Sequence, residues 1–139
     1  MRINFKRVVL GGLIAGIILN LGETLLNEVF LVKQMEETAR RLHLERPGTL
    51  FIGLAILLTL VLGVTIVLLY ALIKVRLGAG IKSAVLAGLI VWFPVYVYTG
   101  ILTGVAIALR PLLIVIAIGW GLVEYLAAAI IGSAFYKEA

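Results

Sequence analysis

Four long apolar runs, set apart by short polar or glycine-bearing breaks, organise the chain: residues 8–32, 50–73, 84–109 and 112–135. Each is about 25 residues long, and about 20 apolar residues in a helix cross the hydrocarbon core of a bilayer. A backbone in lipid has to satisfy its own hydrogen bonds, which selects helices over open strands. Barrel strands alternate apolar and polar residues over about ten positions, and these runs do not alternate. The pattern therefore predicts an all-α fold, a four-transmembrane-helix bundle forming one transmembrane domain over residues 1–139.

The breaks differ in kind. Residues 33–48 are polar, with Glu36/Arg40 and Glu37/Arg41 spaced as favourable i,i+4 pairs and Met35, Ala39 and Leu42 on one face. A short helix is expected there, continuing the first span or lying on the membrane surface. Pro47-Gly48 ends it and opens the second span. Gly78 and Gly80 mark a tight turn, and Arg110-Pro111 a tighter one with proline in the first turn of the fourth helix. Lys6–Ile14 (KRVVLGGLI) resembles Lys82–Ile90 (KSAVLAGLI) position for position. That match raises the expectation of two parallel helical-hairpin repeats, an arrangement transporters use.

Composition agrees with the pattern. Of 139 residues, 63% are hydrophobic and 14% charged, against about 25% charged in ordinary soluble domains. A soluble fold of this size could not hide so much apolar surface. The net charge of +5 comes from basic residues lying mostly between the spans, so membrane lipids, not nucleic acid, are the expected partner. Arg2, Lys6, Arg7, Lys74, Arg76, Lys82 and Lys137 fall on one side, and Lys33, Arg40, Arg41, Arg46 and Arg110 on the other. The bias favours both termini in the cytoplasm. Basic residues ahead of the first run resemble a secretory leader, but the run continues too far and lacks a small-x-small site, so a retained first helix is expected. There is no cysteine, hence no disulfide or thiolate metal site.

Helical periodicity assigns faces. At about 100° per residue, Gly12, Gly16, Asn20, Glu23 and Asn27 share one side of the first helix. Ala117, Gly121, Glu124, Ala128 and Gly132 share one side of the fourth. The third offers Gly88, Trp92, Tyr96, Thr99 and Thr103, with a kink expected at Pro94; the second offers Thr59, Gly63 and Tyr70. Small residues let helices approach and polar ones avoid lipid. Gly12, Gly16, Gly63, Gly88, Gly121, Ala128 and Gly132 are accordingly expected at helix contacts, and Asn20, Glu23, Asn27, Trp92, Tyr96, Thr99 and Glu124 in one buried polar cluster. A charge at mid-depth costs about 3 kcal/mol or more, and no Lys, Arg or His lies deep in a span to neutralise either carboxyl. Glu23 and Glu124 are expected to be protonated at rest, to share a proton or to bind a cation. Equally, protonated carboxyls and asparagines can serve only to tie helices together.

Other chemistry is sparse. His43 is the only histidine and lies in the polar segment, which argues against a metal centre. Gly78-x-Gly80-x-Lys82-Ser83 lacks P-loop spacing and follows a membrane helix, so a hairpin turn explains its glycines. Lys74, Arg76 and Lys82 around that turn are candidates for an anionic lipid headgroup. Trp92, Tyr96 and Tyr98 could pack against a pigment or quinone, but no feature fixes a cofactor.

The segments Asn20–Asn27 (NLGETLLN), Leu69–Gly80 (LYALIKVRLGAG) and Trp120–Tyr125 (WGLVEY) resemble a group of small four-helix bacterial membrane proteins. The resemblance implies a bacterial origin, hence the inner membrane, and a four-span fold; it implies no activity. No nucleophile–base pair or nucleotide fold is present, so enzymatic activity is not expected. The first expectation is an accessory or scaffold subunit of a larger membrane complex, bound to other membrane subunits or to itself. The alternative is a small homo-oligomeric transporter or channel that uses Glu23 and Glu124 for protons or cations.

Overall fold

The structure, a computed structural model, describes residues 2–138 and contains no strand among them. Four helical spans form a bundle: Phe5–Phe30, Thr49–Leu77, Ile81–Ala106 and Pro111–Ala134. Their ends lie within about a turn of the pattern-based limits, the second span running on to Leu77 instead of 73. Helix α1 (Phe5–Leu25) is capped by the Asn4 side chain, which accepts from the Arg7 amide at 3.2 Å. It passes into a π-helical turn, Leu26–Phe30. The chain breaks at Leu31 (φ −109°, ψ 12°) before the short amphipathic α2 (Val32–Arg41), so α2 is a separate helix and not an extension of the span. Helix α3 (Thr49–Leu77) starts after Gly48 and ends at Gly78. Helix α4 (Ile81–Trp92), a second π-helical segment (Phe93–Tyr98) and α5 (Thr99–Ala106) make up the third span. Helix α6 (Pro111–Ala134) is the fourth.

Proline explains the break in the third span. Pro94 has no N–H and cannot bond the carbonyl one turn back. The chain answers with one wider turn, a common way for a helix to absorb such a fault. The Thr99 hydroxyl closes it by donating to the Pro94 carbonyl at 2.8 Å.

Glycine sets the helix spacing. Gly12 and Gly16 lie against the α3 backbone at Val64 and Leu60, and Gly63 lies against Gly12 and Gly16 in return. Gly11 and Gly132 bring α1 onto α6. Gly88 brings α4 onto α6, where an added Cβ would sit 3.0 Å from both Tyr125 O and Ala129 Cβ. Gly12 and Gly88 occupy matching places in the two similar segments, yet Gly12 meets Val64 and Gly88 meets Ala129, a partner nearer in the chain. The two hairpins thus differ in register, the first being longer by its polar segment.

The bundle is tight at one end and open at the other. The buried core of Val8, Ala15, Leu19, Ile66, Val67, Ala71, Ala84, Ala87, Ala128 and Ala129 lies toward the end that carries both termini. There Gly78 and Gly80 take positive φ (82° and 138°), the Ser83 hydroxyl donates to Gly78 O at 2.6 Å, and Tyr70 Oη accepts from the Gly80 amide at 3.3 Å. Toward the far end every residue of 50–58 is exposed, and Gly104 is the only buried residue of α5. Arg41 of α2 braces this end by donating to the carbonyls of Ile107 (2.7 Å) and Ala108 (3.2 Å) in the turn between α5 and α6.

Candidate functional site: a carboxyl pair between α1, the third span and α6

The polar face of α1 reaches the bundle interior just before its π turn. Glu23 stands two helical turns before Phe30, about 10 Å along the axis, closer to the far end than the central third expected from the sequence. Its carboxyl accepts from two donors: the Tyr96 hydroxyl, across from the third span, and Asn27 Nδ2 at 3.2 Å, one turn on. Asn27 also takes the Glu23 carbonyl at 3.0 Å. Tyr96 lies within the π segment, and its ring covers Gly121, where a Cβ would fall 2.5 Å from the ring. The Pro94 fault and the missing side chain at Gly121 together give Tyr96 its place beside α6. Its ring meets that of Tyr125 edge-on at 5.5 Å.

Glu124 is nearer mid-membrane, just past the midpoint of the Pro111–Ala134 helix. It is 6% exposed, and neither carboxyl oxygen has a hydrogen-bond partner. The carboxyl lies on Gly22, where an added Cβ would fall 2.6 Å from its Cδ and Oε2. The adjacent donor, Trp120 Nε1, lies near enough to act on the carboxyl but makes its hydrogen bond to the Gly22 carbonyl at 3.1 Å. Glu23 and Glu124 are close enough for their charges to act on each other. No Lys, Arg or His lies within the apolar part of any span, so this is a pair of carboxyls with no fixed counter-charge. A groove of about 270 Å³ opens beside Glu124 between α1 (Ile18, Leu21, Gly22, Leu25) and α6 (Trp120, Val123, Ala127). Leu21 and Val123 at its rim face the lipid.

Four of the seven residues expected in one cluster come together: Glu23, Asn27, Tyr96 and Glu124. The other three are used elsewhere. Asn20 donates to Gly16 O (3.0 Å) and to Ile56 O (3.4 Å), tying α1 to α3. Trp92 donates to Ile118 O at 3.1 Å, tying α4 to α6. Thr99 is exposed and closes the π turn. Gly22, Trp120 and Tyr125 belong to the site although the face assignment passed over them. Gly22 and Tyr125 directly neighbour Glu23 and Glu124 in sequence, which was the one available sign.

At the terminal end, Lys74 does not stand free for a headgroup. Its side chain is 10% exposed, pairs with Glu138 at 3.0 Å and lies 4.7 Å from the Tyr136 ring centre. Arg76 and Lys82 are exposed there, and His43 is exposed at the far end. Gly12, Gly16, Gly63, Gly88, Gly121, Ala128 and Gly132 are all buried. No group of three or more His, Asp or Glu that could hold a metal ion occurs among the described residues.

Fold and site define a class: a four-span helical membrane protein with an unneutralised carboxyl pair inside its bundle. Comparison with family models, curated proteins and solved structures finds no match.

Proposed function

We propose that the chain is a small membrane transporter that moves protons, or a cation in exchange for protons, through Glu23 and Glu124. One observation carries this reading: Glu124 is buried near mid-membrane with neither oxygen partnered, beside a second carboxyl that has two donors. A carboxyl kept only to tie helices would use its hydrogen-bonding capacity, because unmet polar groups in hydrocarbon are costly. Glu23 does so and Glu124 does not. An ionisable group held inside a span at such cost is, by default, part of an ion or proton path. The path runs from Glu124 to Glu23, which stands nearer the far end. The basic bias of the connections and the sequence resemblance support a bacterial inner membrane with both termini cytoplasmic.

The test is proton flux in proteoliposomes carrying an internal pH dye, with insertion read by an impermeant maleimide on Arg40→Cys and Lys137→Cys. These two cysteines should label from opposite sides. An imposed potential or, for exchange, an imposed gradient of an organic cation should drive a pH change that Glu124→Gln abolishes and Glu23→Gln reduces at least tenfold, while Glu28→Gln, at an exposed carboxyl of the same span, leaves it unchanged. Equal flux in all variants and in empty liposomes would sink the proposal.

A second reading, an accessory or scaffold subunit, is favoured by residues 50–58 of α3, an apolar helical stretch exposed on every side. Purification in a mild detergent separates the two: foreign subunits in stoichiometric amount support the second, and a single chain that retains flux supports the first.

A further inference from the structure

We infer that the groove between α1 and α6 binds a lipophilic organic cation, an ammonium group on a hydrocarbon body, whose charge pairs with Glu124 in exchange for the carboxyl proton. This rests on the proton-handling reading and adds the ligand to it.

The groove has the walls for such a molecule. Ile18, Leu21 and Leu25 line one side, Val123 and Ala127 the other, and Glu124 is the only charged group in it. It opens toward lipid, where an amphiphilic cation concentrates. It offers no ring of oxygens to replace the water shell of a small inorganic ion, whereas a quaternary ammonium, with no N–H to hydrate, sheds water readily and needs one opposite charge. Glu124 is more than nine-tenths buried and unpartnered. Gly22, with no side chain, lets the carboxyl lie against α1 where both residues line the groove. Trp120 also lines the groove, and indole rings attract cations.

The surroundings of Glu124 suit exchange. The titratable groups facing it are Glu23 from α1, Tyr96 from the π segment and Tyr125 from α6, and no cation faces it. An ionised carboxylate alone in this setting is costly, and a neutral acid or an ion pair is not. When the cation enters, the Glu124 O–H bond breaks and the carboxylate pairs with the ammonium. The proton leaves for water through the Glu23 carboxyl, the neighbouring group that can both accept and release it. One charge enters and one departs, so the net charge of the site is conserved. The groove follows α1 from Ile18 to Leu25, two turns or about 10 Å, a length suited to a short-chain ammonium.

The test uses hexyltrimethylammonium as probe, titrated calorimetrically into the protein in phosphatidylcholine nanodiscs, with empty discs subtracted. We expect saturable binding that releases about one proton per cation and tightens about tenfold per pH unit while that proton is being displaced. Tetramethylammonium, with the charge but no tail, should bind at least tenfold more weakly. Glu124→Gln should lose binding while keeping the wild-type melting temperature. Ala127→Phe, which fills the groove from the lipid side, should weaken it at least tenfold. Binding that survives Glu124→Gln, or that is equal for the two ammoniums, overturns the inference. Absence of binding with carboxyl-dependent proton flux intact overturns this inference alone; loss of both overturns the proton reading beneath it.

Discussion

At the scale of single residues, the two carboxyls differ in what surrounds them. Glu23 has a phenol and an amide as donors; Glu124 has glycine on one side and a groove on the other. The Tyr96–Glu23 bond joins the first span to the third, and interhelical bonds of this kind are worth about 0.6–2 kcal/mol. A double-mutant cycle with Tyr96→Phe and Glu23→Gln, read by unfolding in detergent, should return a coupling of about that size; additive effects would show that the pair does not interact. The polar faces of α1, the third span and α6 were legible in the sequence because helical period alone turns Glu23, Asn27, Tyr96 and Glu124 to one side of their helices. Asn20, Trp92 and Thr99 share those faces, yet each spends its donor on a main-chain carbonyl. Face and depth do not decide which acceptor a donor takes.

At the scale of elements, glycine and proline write the packing. The stripes of small residues were readable because a glycine repeated every three or four positions has little use against lipid. Gly16 lies on the α3 backbone, with Leu60 Cα 2.7 Å from where a Cβ would stand, whereas Gly53 has nothing within 4 Å. Gly16→Leu should therefore cost roughly 1–3 kcal/mol by overpacking, and Gly53→Leu should leave stability near wild type. Thermal melting of both in one detergent checks this, and equal melting temperatures would remove α1–α3 packing as the basis of the fold. The π turns were less legible. Pro94 announces a fault in the third span, but whether a kink or a wider turn repairs it depends on what Tyr96 and Thr99 can reach. Nothing comparable announces the turn at Leu26–Phe30, and the break at Leu31 follows from it.

At the scale of the whole molecule, a close-packed terminal half supports a more open far half, and the carboxyls sit where one gives way to the other. The tight half fixes α1, α4 and α6 through Gly11, Gly132 and Gly88, while the site's groove opens on the membrane-facing side between α1 and α6. Four spans could be counted from hydropathy alone. This asymmetry could not, because residues 50–58 are as apolar as residues buried further along the same helix, and apolarity in a bilayer does not distinguish a lipid neighbour from a protein one. The measurement that tests the account most directly is the infrared C=O stretch of Glu124 in the cation-free protein. A protonated-carboxyl band is expected at the high frequency of an acid without hydrogen-bond partners, lost in Glu124→Gln, retained in Glu23→Gln and removed when hexyltrimethylammonium binds. Absence of that band, or its persistence in Glu124→Gln, would contradict it.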